Sequence, residues 1–292
     1  MSFSIFTDTS ANLPTPMAQE KKITVIPLSY IRDGKEMTCL NTEEFDPREY
    51  YGALKSGEKV TTSQINPHSY EEMMEPVLRE GKDILFVGMS SGISGSFHSA
   101  QLAAEQLLET YEDRKILLVD SLGASLGEGM LVLEAVSCRE KGMSLQETAD
   151  YLLELRDHVY QLFTVDDLMF LRRGGRLSNA SALVGTVLNV KPILKGNELG
   201  KIVTFEKVRG RKKVMDKIAA RYDLLVRNAG EQTVCISHGN CPEDANLLAD
   251  MIRRNNPPRD VLIVEHEPVT GSYLGPGALC IYFRGEKDVR LK

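Results

Sequence analysis

The stretch DILFVGMSSGISGSFHSAQLAAEQLLE, residues 83–109, indicates a strand, a loop and a helix in immediate succession. Its apolar run at 84–87 is short and uninterrupted, which is typical of a buried strand in a parallel sheet. Residues 90–97 then hold four serines and two glycines, and a helical pattern rich in Ala, Leu and Gln follows them. Because strand, loop and helix are the repeating unit of α/β proteins, this stretch predicts an α/β fold.

Short apolar runs alternate with helical patterns along most of the chain. Helix starts are marked by the Asp-Pro pair at 46–47 and by the Ser-x-x-Glu capping box at 144–147. The Asp-Gly pair at 33–34 and the segment 196–200 indicate hairpin turns. The predicted strands lie at 3–6, 23–28, 83–87, 115–120, 161–164, 192–194, 201–207, 233–237, 261–265 and 278–283, and the predicted helices after residue 160 lie at 166–173, 179–189, 210–228 and 242–255.

The second series of strands and helices begins near Val159. We therefore predict two α/β domains, an N-terminal one at 1–158 and a C-terminal one at 159–292. Ligands commonly bind where domains meet, so the expected binding place is a cleft between the two domains.

Composition excludes several classes of protein. The 292 residues carry a formal net charge of −6, which argues against a nucleic-acid binder. No apolar stretch approaches the roughly 18 residues of a membrane-spanning helix, and the first ten residues lack the pattern of a secretion signal. Five cysteines are scattered singly, which is not the pattern of a disulfide framework. We expect a cytoplasmic protein.

The loop at 90–97 has the chemistry of an anion site. The first turn of a helix leaves amide groups unpaired and carries partial positive charge, and Ser91, Ser94 and Gly95 lie directly before that turn. Without a GxxxxGK[ST] pattern the loop does not resemble a nucleotide P-loop. The alternative is a serine-rich cap on an ordinary strand-to-helix turn.

Three further stretches favour a binding site when they are taken together. They are KVTTSQINP at 59–67, DDLMFLRRGGRLS at 166–178 and VTGSYLGPGALCIYF at 269–283. Each stretch alone is more typical of a turn or a helix end than of a binding site.

Seven segments, in this order, closely resemble the DegV family of bacterial proteins. They span nearly the whole chain, and the serine–glycine loop and LRRGGRLS are the most specific of them. The segments are TDTSANLP at 7–14, TTSQINP at 61–67, SSGISGSFHSAQLAAE at 90–105, VDS at 119–121, LMFLRRGGRLS at 168–178, KPIL at 191–194 and GPGAL at 275–279.

The resemblance implies a two-domain α/β protein that binds one long-chain fatty acid in a cleft between its domains. It implies a non-catalytic carrier that has no cofactor besides this lipid. The carrier would present the fatty-acid carboxyl group to the catalytic subunit of a bacterial fatty-acid kinase, which forms an acyl-phosphate. The implied partners are the fatty acid and this kinase subunit, with transient membrane contact and without nucleic acid.

Hydroxyl, amide and arginine donors are implied to hold the carboxylate. The family pattern GxHxGPG usually has a histidine where this chain has Tyr273. A phenol can donate a hydrogen bond to a carboxylate but is not a cation at neutral pH, so a different head group is an open alternative. The implied carboxylate-binding residues are Thr61, Thr62, Ser63, Ser91, Ser94, Gly95, Arg172, Arg176 and Tyr273.

A wall for the acyl chain and a docking patch for the kinase subunit can also be assigned. The segment 178–190 is apolar around most of a predicted helix, which suits either a lipid tunnel or a buried core helix. The segment 206–217 is the most basic in an acidic chain and suits either partner docking or a solvated helix start. The predicted tunnel residues are Leu168, Phe170, Ala182, Leu183 and Thr186, and the predicted docking residues are Arg209, Arg211 and Lys212.

Two other functions are alternatives. A small-molecule phosphotransferase or hydrolase could use Asp8 and Asp120, which end predicted strands, as acid–base groups. Such aspartates more often cap the turn that follows, and the chain has neither a G-x-S-x-G nor an HExxH motif. The second alternative is a sensor of lipid state.

Overall fold

The computed structural model describes residues 3–178 and 190–292. They form two compact units, one of Met1–Phe45 and Thr61–Arg156 and the other of Asp46–Val60 and Asp157–Lys292. Both units combine strands with helices, so the predicted α/β fold class is confirmed. The segment Asp46–Val60 belongs to the second unit, although it precedes residue 158. The two units are therefore not separated by a single boundary in the sequence.

The elements are numbered in chain order. The strands are β1 (Ser4–Asp8), β2 (Ile23–Ile26), β3 (Ser29–Arg32), β4 (Lys35–Thr38), β5 (Val60–Ser63), β6 (Ile84–Gly88), β7 (Ile116–Asp120), β8 (Val159–Thr164), β9 (Val190–Gly196), β10 (Ile202–Arg209), β11 (Thr233–His238), β12 (Asp260–Glu265) and β13 (Leu279–Arg284). The α-helices are α1 (Thr15–Glu20), α2 (Pro47–Lys55), α3 (Pro67–Arg79), α4 (Ser96–Thr110), α5 (Leu126–Glu140), α6 (Leu145–Leu155), α7 (Met169–Arg173), α8 (Arg211–Leu225), α9 (Pro242–Asn255) and α10 (Pro268–Leu274). Within the described ranges, no helix combines the length and the apolarity that crossing a bilayer requires.

The main sheet of the first unit has the order β2-β1-β6-β7, and all of its pairings are parallel. The side chains of Ile84, Leu85, Phe86 and Val87 in β6 are fully buried, as their uninterrupted apolar run predicts. Helices α3 to α6 pack against this sheet. A smaller sheet has the order β4-β3-β5, and its β3–β4 pair is antiparallel.

The carboxyl ends of β1, β6 and β7 lie at one edge of the main sheet, because parallel strands all end on the same side. The loops after these strands are hydrogen-bonded to one another: the Met89 amide donates to Asp8 Oδ2 at 3.2 Å, and the Ser121 amide donates to Gly88 O at 3.1 Å. Residues 89–95, which we call the serine loop, therefore lie at the sheet edge where α/β proteins usually bind ligands.

The second unit contains a mixed sheet of order β10-β9-β8-β13-β11-β12. Its β11–β12 pair is parallel and its other pairs are antiparallel. Tyr160, Tyr222 and Phe283 lie in the core between this sheet and the helices, with the Tyr222 and Phe283 rings edge to face at 5.2 Å. Helices α8 and α9 pack against one another and against the sheet.

The predicted helix caps and hairpins are confirmed. Asp46 accepts from the Arg48 and Glu49 amides, and both halves of the capping box at Ser144 are formed. The Asp-Gly pair at 33–34 joins β3 to β4 with positive φ at both residues, and the segment 196–200 joins β9 to β10.

Two helix predictions need comment. The helix predicted at 166–173 begins later, as α7 at Met169, whose amide donates to Asp167 Oδ1 at 2.8 Å. The helix predicted at 179–189 lies outside the described residues.

Candidate functional site

The first half of the serine loop is tied to the loop after β7. The Ser90 amide donates to Gly123 O at 2.8 Å, and the Ser91 hydroxyl donates to Asp120 Oδ2 at 2.6 Å. Asp120 also accepts from the Leu122 amide at 3.0 Å. Asp120 therefore holds two loops together, and the hydroxyl proton of Ser91 is engaged within the protein.

The second half of the serine loop starts α4. Ser94 Oγ accepts from the Ser96 amide at 3.2 Å and donates to Ser96 Oγ at 3.0 Å. Ser94 is half-buried and Gly95 is exposed, at the N-terminus of a helix of 15 residues. This end of the helix combines hydroxyls, first-turn amides and partial positive charge, and it can hold a carboxylate without a buried cation.

The TTSQ stretch lies directly beside this helix start. The Ile65 amide donates to Ser96 Oγ at 3.2 Å. Gln64 covers Gly95 so closely that a Cβ at Gly95 would lie 2.1 Å from Gln64 Oε1. The structure thus brings together two of the stretches that the sequence analysis selected, and glycine at position 95 permits the close approach.

The three hydroxyl residues of β5 cannot all face one ligand. Successive side chains of a strand point to opposite sides, so Thr61 and Ser63 share one face and Thr62 occupies the other. Thr61 is exposed, whereas Thr62 and Ser63 are half-buried. A single carboxylate can therefore contact either Thr62 or the pair Thr61 and Ser63.

In the second unit, Arg176 and Tyr273 are in contact. The guanidinium carbon of Arg176 lies 4.7 Å from the centroid of the Tyr273 ring, and Arg176 Nη1 donates to Gly174 O at 2.5 Å. Gly174 lies against the same ring, since a Cβ there would lie 2.3 Å from Tyr273 Cδ1. Arg172, which also belongs to the predicted head-group set, is exposed near the end of α7.

The predicted tunnel residues are described only in part. Leu168 and Phe170 are half-buried, and the Phe170 ring packs on Gly275, whose Cβ would lie 2.5 Å from Phe170 Cδ2. Gly275 has a φ of 76°, so two requirements select glycine at that position. The other predicted tunnel residues, Ala182, Leu183 and Thr186, lie outside the described residues.

The predicted docking residues differ from one another in their surroundings. Arg209 and Lys212 are exposed. The Arg211 side chain is only 21% exposed, and its Nε donates to Asp244 Oδ2 at 2.8 Å. Arg211 is therefore bound within the second unit, whereas Arg209 and Lys212 are accessible.

The carboxylates that could serve an enzyme are used as structural caps. Asp8 is buried and accepts from the amides of Ser10 at 2.8 Å and Met89 at 3.2 Å. Burial raises the pKa of the Asp8 carboxyl to about 6, although these amide bonds oppose the shift. Asp8 and Asp120 thus accept hydrogen bonds from amides of the turns that follow them, as expected of turn-capping residues. No group of His, Cys, Asp and Glu side chains within the described residues could hold a metal ion.

Sequence analysis missed Glu128 in the first turn of α5. Glu128 is fully buried and accepts from Thr7 Oγ1 at 2.9 Å and from Ser10 Oγ at 2.5 Å. It links the end of β1 to α5 beneath the ligand edge of the sheet. The detectable signal was an acidic residue three positions after Ser125, inside an otherwise apolar helix start.

Two buried histidines of the second unit, His266 and His238, are bound to internal partners and do not replace the imidazole that the family pattern has at position 273. His266 is fully buried, with Nε2 3.3 Å from both Ser237 Oγ and Cys280 Sγ, and burial lowers its pKa to about 3. His238 is buried beside Glu265, with Nδ1 3.1 Å from Glu265 Oε2. Both imidazoles are parts of internal polar networks.

Comparison with known proteins identifies one family over nearly the whole chain. A family model described as an uncharacterised protein of the DegV family matches residues 2–286. A DegV domain-containing protein of Clostridium perfringens is 37% identical over 284 residues, which are 97% of this chain and 98% of that protein.

Two solved structures extend the likeness to the fold. A DegV family protein from Thermus thermophilus, described by its fatty acid binding, has a TM-score of 0.89 and 28% identity, covering 98% of this chain and 100% of that one. A DegV family protein from Ruminococcus gnavus, refined with vaccenic acid, has a TM-score of 0.86 and 25% identity, covering 97% and 99%.

Proposed function

This chain belongs to the DegV family, and we propose that it binds a long-chain fatty acid and presents the carboxyl group to the catalytic subunit of a fatty-acid kinase. The ligands of its relatives support the first part, because the Thermus thermophilus protein is described by its fatty acid binding and the Ruminococcus gnavus protein was refined with vaccenic acid. Family resemblance alone supports the second part.

The proposal rests on the contact between the serine loop and the TTSQ stretch. Ser94 and Gly95 lie directly before α4 at the carboxyl edge of the sheet, and Ile65 and Gln64 pack against the start of this helix. Neutral donors at a helix N-terminus suit a monovalent carboxylate. Arg176 and Tyr273 are the proposed donors from the second unit, and Thr62 or the pair Thr61 and Ser63 complete the head-group set.

The acyl chain supplies most of the binding free energy in this proposal. Burying one methylene contributes roughly 0.8 kcal/mol, so about ten buried methylenes contribute a gross 8 kcal/mol or so before the cost of association. Leu168 and Phe170, with Ala182, Leu183 and Thr186, are the proposed lining residues. The hydroxyl groups then fix the position and orientation of the head group.

The protein itself carries out no chemistry in this proposal. Asp8 and Asp120 already serve as caps, and the phosphoryl transfer belongs to the kinase subunit. The exposed cations Arg209 and Lys212 are the proposed contacts for that subunit, with transient membrane contact during lipid exchange.

The test is to extract purified protein under denaturing conditions and to weigh the released lipid by mass spectrometry. We expect close to one fatty acid per chain, and renewed uptake when oleate is added to delipidated protein. Ser94→Ala should weaken oleate binding, because it removes a hydroxyl group from the proposed head-group site, and Ser56→Ala, at an exposed serine of another helix end, should not. Protein that neither carries nor takes up a fatty acid would refute the proposal.

A further inference from the structure

Asp166 connects several elements of the second unit. It follows β8, its side chain is 48% exposed, and Lys191 Nζ lies 2.8 Å from Asp166 Oδ1 and donates to Asp166 O at 3.2 Å. The same Oδ1 lies 3.6 Å from Arg211 Nη1. One carboxylate therefore meets the start of β9 and the first residue of α8.

The other oxygen of Asp166 lies against the Gly-Pro-Gly turn at 275–277. A Cβ at Gly277 would lie 2.3 Å from Asp166 Oδ2, and Gly277 has a φ of 79°. The Gly277 amide donates to Gly239 O at 2.7 Å, and the Gly239 amide donates to Ala278 O at 2.9 Å. The turn is therefore held between the Asp166 carboxylate on one side and the loop after β11 on the other.

Arg211 also contacts the loop after β11, on the other side of the turn from Asp166. Its Nε donates to Asp244 Oδ2 at 2.8 Å, and its Nη2 lies 3.7 Å from Cys241 Sγ. Cys241 Sγ in turn contacts Ala278 O at 3.2 Å. Arg211 thus contacts groups on both sides of the turn, and it is the first residue of the helix that carries the basic segment 206–217.

The turn adjoins the proposed head-group residue Tyr273. Tyr273 lies two positions before Gly275, and its ring is packed on Gly174 and Arg176. Gly275 is the C-cap of α10, the helix that carries Tyr273, so the turn continues directly from that helix. Arg211 and Asp166 therefore connect the start of α8 to the turn that follows Tyr273.

We propose that Asp166 is a positioning residue that couples the basic segment at the start of α8 to the orientation of Tyr273, with Arg211 as the connecting side chain. This inference rests on the proposed function, because Tyr273 is a head-group donor only if a fatty acid binds. Arg211 then acts inside the second unit, and Arg209 and Lys212 remain the residues for partner contact. A half-exposed ion pair contributes little to stability, so the role of Asp166 is geometric.

The experiment measures the oleate dissociation constant of Asp166→Asn against the wild type. We expect about three- to tenfold weaker binding, the range typical of residues that couple two sites. Glu206→Gln is the matched control: it removes the same charge from a partly exposed ion pair with Lys217, 2.9 Å away, on the basic segment itself. If net charge alone mattered, both variants would weaken binding equally, and the inference would be overturned.

A double-mutant cycle with Tyr273→Phe separates positioning from general destabilisation. If Asp166 acts through the phenol hydroxyl, Asp166→Asn has little further effect once that hydroxyl is gone. Effects that add in full would overturn the inference. Arg211→Lys, which keeps the charge but loses the guanidinium contacts, repeats the test should Asp166→Asn not fold.

The result also separates this inference from the proposed function. If the wild type binds oleate and the Asp166→Asn variant binds it with equal affinity, the inference is overturned and the proposed function stands. Wild-type protein that binds no oleate overturns the proposed function, and the inference with it.

Discussion

The guanidinium group of Arg176 lies over the ring of Tyr273, with 4.7 Å between the guanidinium carbon and the ring centroid. The two residues come from the LRRGGR and GSYLGPG stretches, which are far apart in the sequence but adjacent in the second unit. Gly174 makes room for the ring. The contact orients a cation and a phenol together, which is a suitable arrangement for an anionic head group.

Tyr273→Phe should weaken oleate binding while it preserves the stacking on Arg176. The loss of one hydrogen bond costs about 1 kcal/mol, or roughly fivefold in the dissociation constant. Isothermal titration of delipidated protein measures this change. Tyr273→His should instead make binding stronger as the pH falls through about 6.5, because the imidazole gains a positive charge there. Equal affinity in all three proteins would remove Tyr273 from the head-group set.

Gly174→Ala should destabilise the second unit by about 1–3 kcal/mol, because the added methyl group overlaps the Tyr273 ring. The backbone of Gly174 is helical, so the overlap is the cause of the effect. Gly52→Ala is the control, since a Cβ there meets nothing within 4 Å and should stabilise helix α2 by about 0.5–1 kcal/mol. Urea titration followed by circular dichroism measures both. An unchanged midpoint for Gly174→Ala would contradict the packing described.

Local features of the fold could be predicted from the sequence, whereas contacts between distant residues could not. The caps at Asp46 and Ser144 and the hairpin at 33–34 follow from neighbouring residues, and each was predicted. The family resemblance implied that the head-group stretches share one site. The individual contacts, such as Ile65 with Ser96 and Arg176 with Tyr273, were not predicted, because no local periodicity encodes which side chains meet across a fold.

Arg211 illustrates the same limit. A basic residue in a charged run is usually solvated, so the sequence gives no sign that Asp166 and Asp244 bind its side chain. The placement of Asp46–Val60 with the second unit is likewise a matter of long-range packing: Tyr50 and Tyr51 donate to Pro268 O and His266 O.

Asp8 should make stability depend on pH. Its carboxyl pKa is about 6 in the folded protein against 3.8 ordinarily, so the folded state holds a proton that the unfolded state loses between these values. The contribution of Asp8 to stability therefore falls as the pH rises from about 4 to 6 and stays low above that. On the pKa values cited, the fall is on the order of 3 kcal/mol.

The measurement is the free energy of unfolding of wild type minus that of Asp8→Asn, between pH 4 and 7.5. This difference should decline through the interval. The control is Glu286→Gln, because ion pairs and hydrogen bonds with Lys292 and Arg227 lower the Glu286 pKa to about 2, so that its difference should be flat above pH 5. A flat difference for Asp8→Asn would show that burial does not raise the pKa of the Asp8 carboxyl.

Reversing the charges of Arg209 and Lys212 should weaken binding of the fatty-acid kinase subunit and leave oleate affinity unchanged. Both side chains are exposed, so their replacement by Glu should not disturb the fold. Lys201→Glu changes a charge elsewhere on the exposed surface of the same unit and serves as the control. Surface plasmon resonance with the immobilised kinase subunit gives the affinities, and equal values for all variants would place the docking surface elsewhere.

A crystal structure of the protein with oleate would show directly where the carboxylate lies. We predict a carboxylate oxygen within about 3.2 Å of Ser94 Oγ, beside the start of α4, with the hydrocarbon chain enclosed by protein. Oleate density with the carboxylate away from the serine loop, or a loop whose hydroxyls contact only protein while oleate is bound, would contradict the proposed function of these residues.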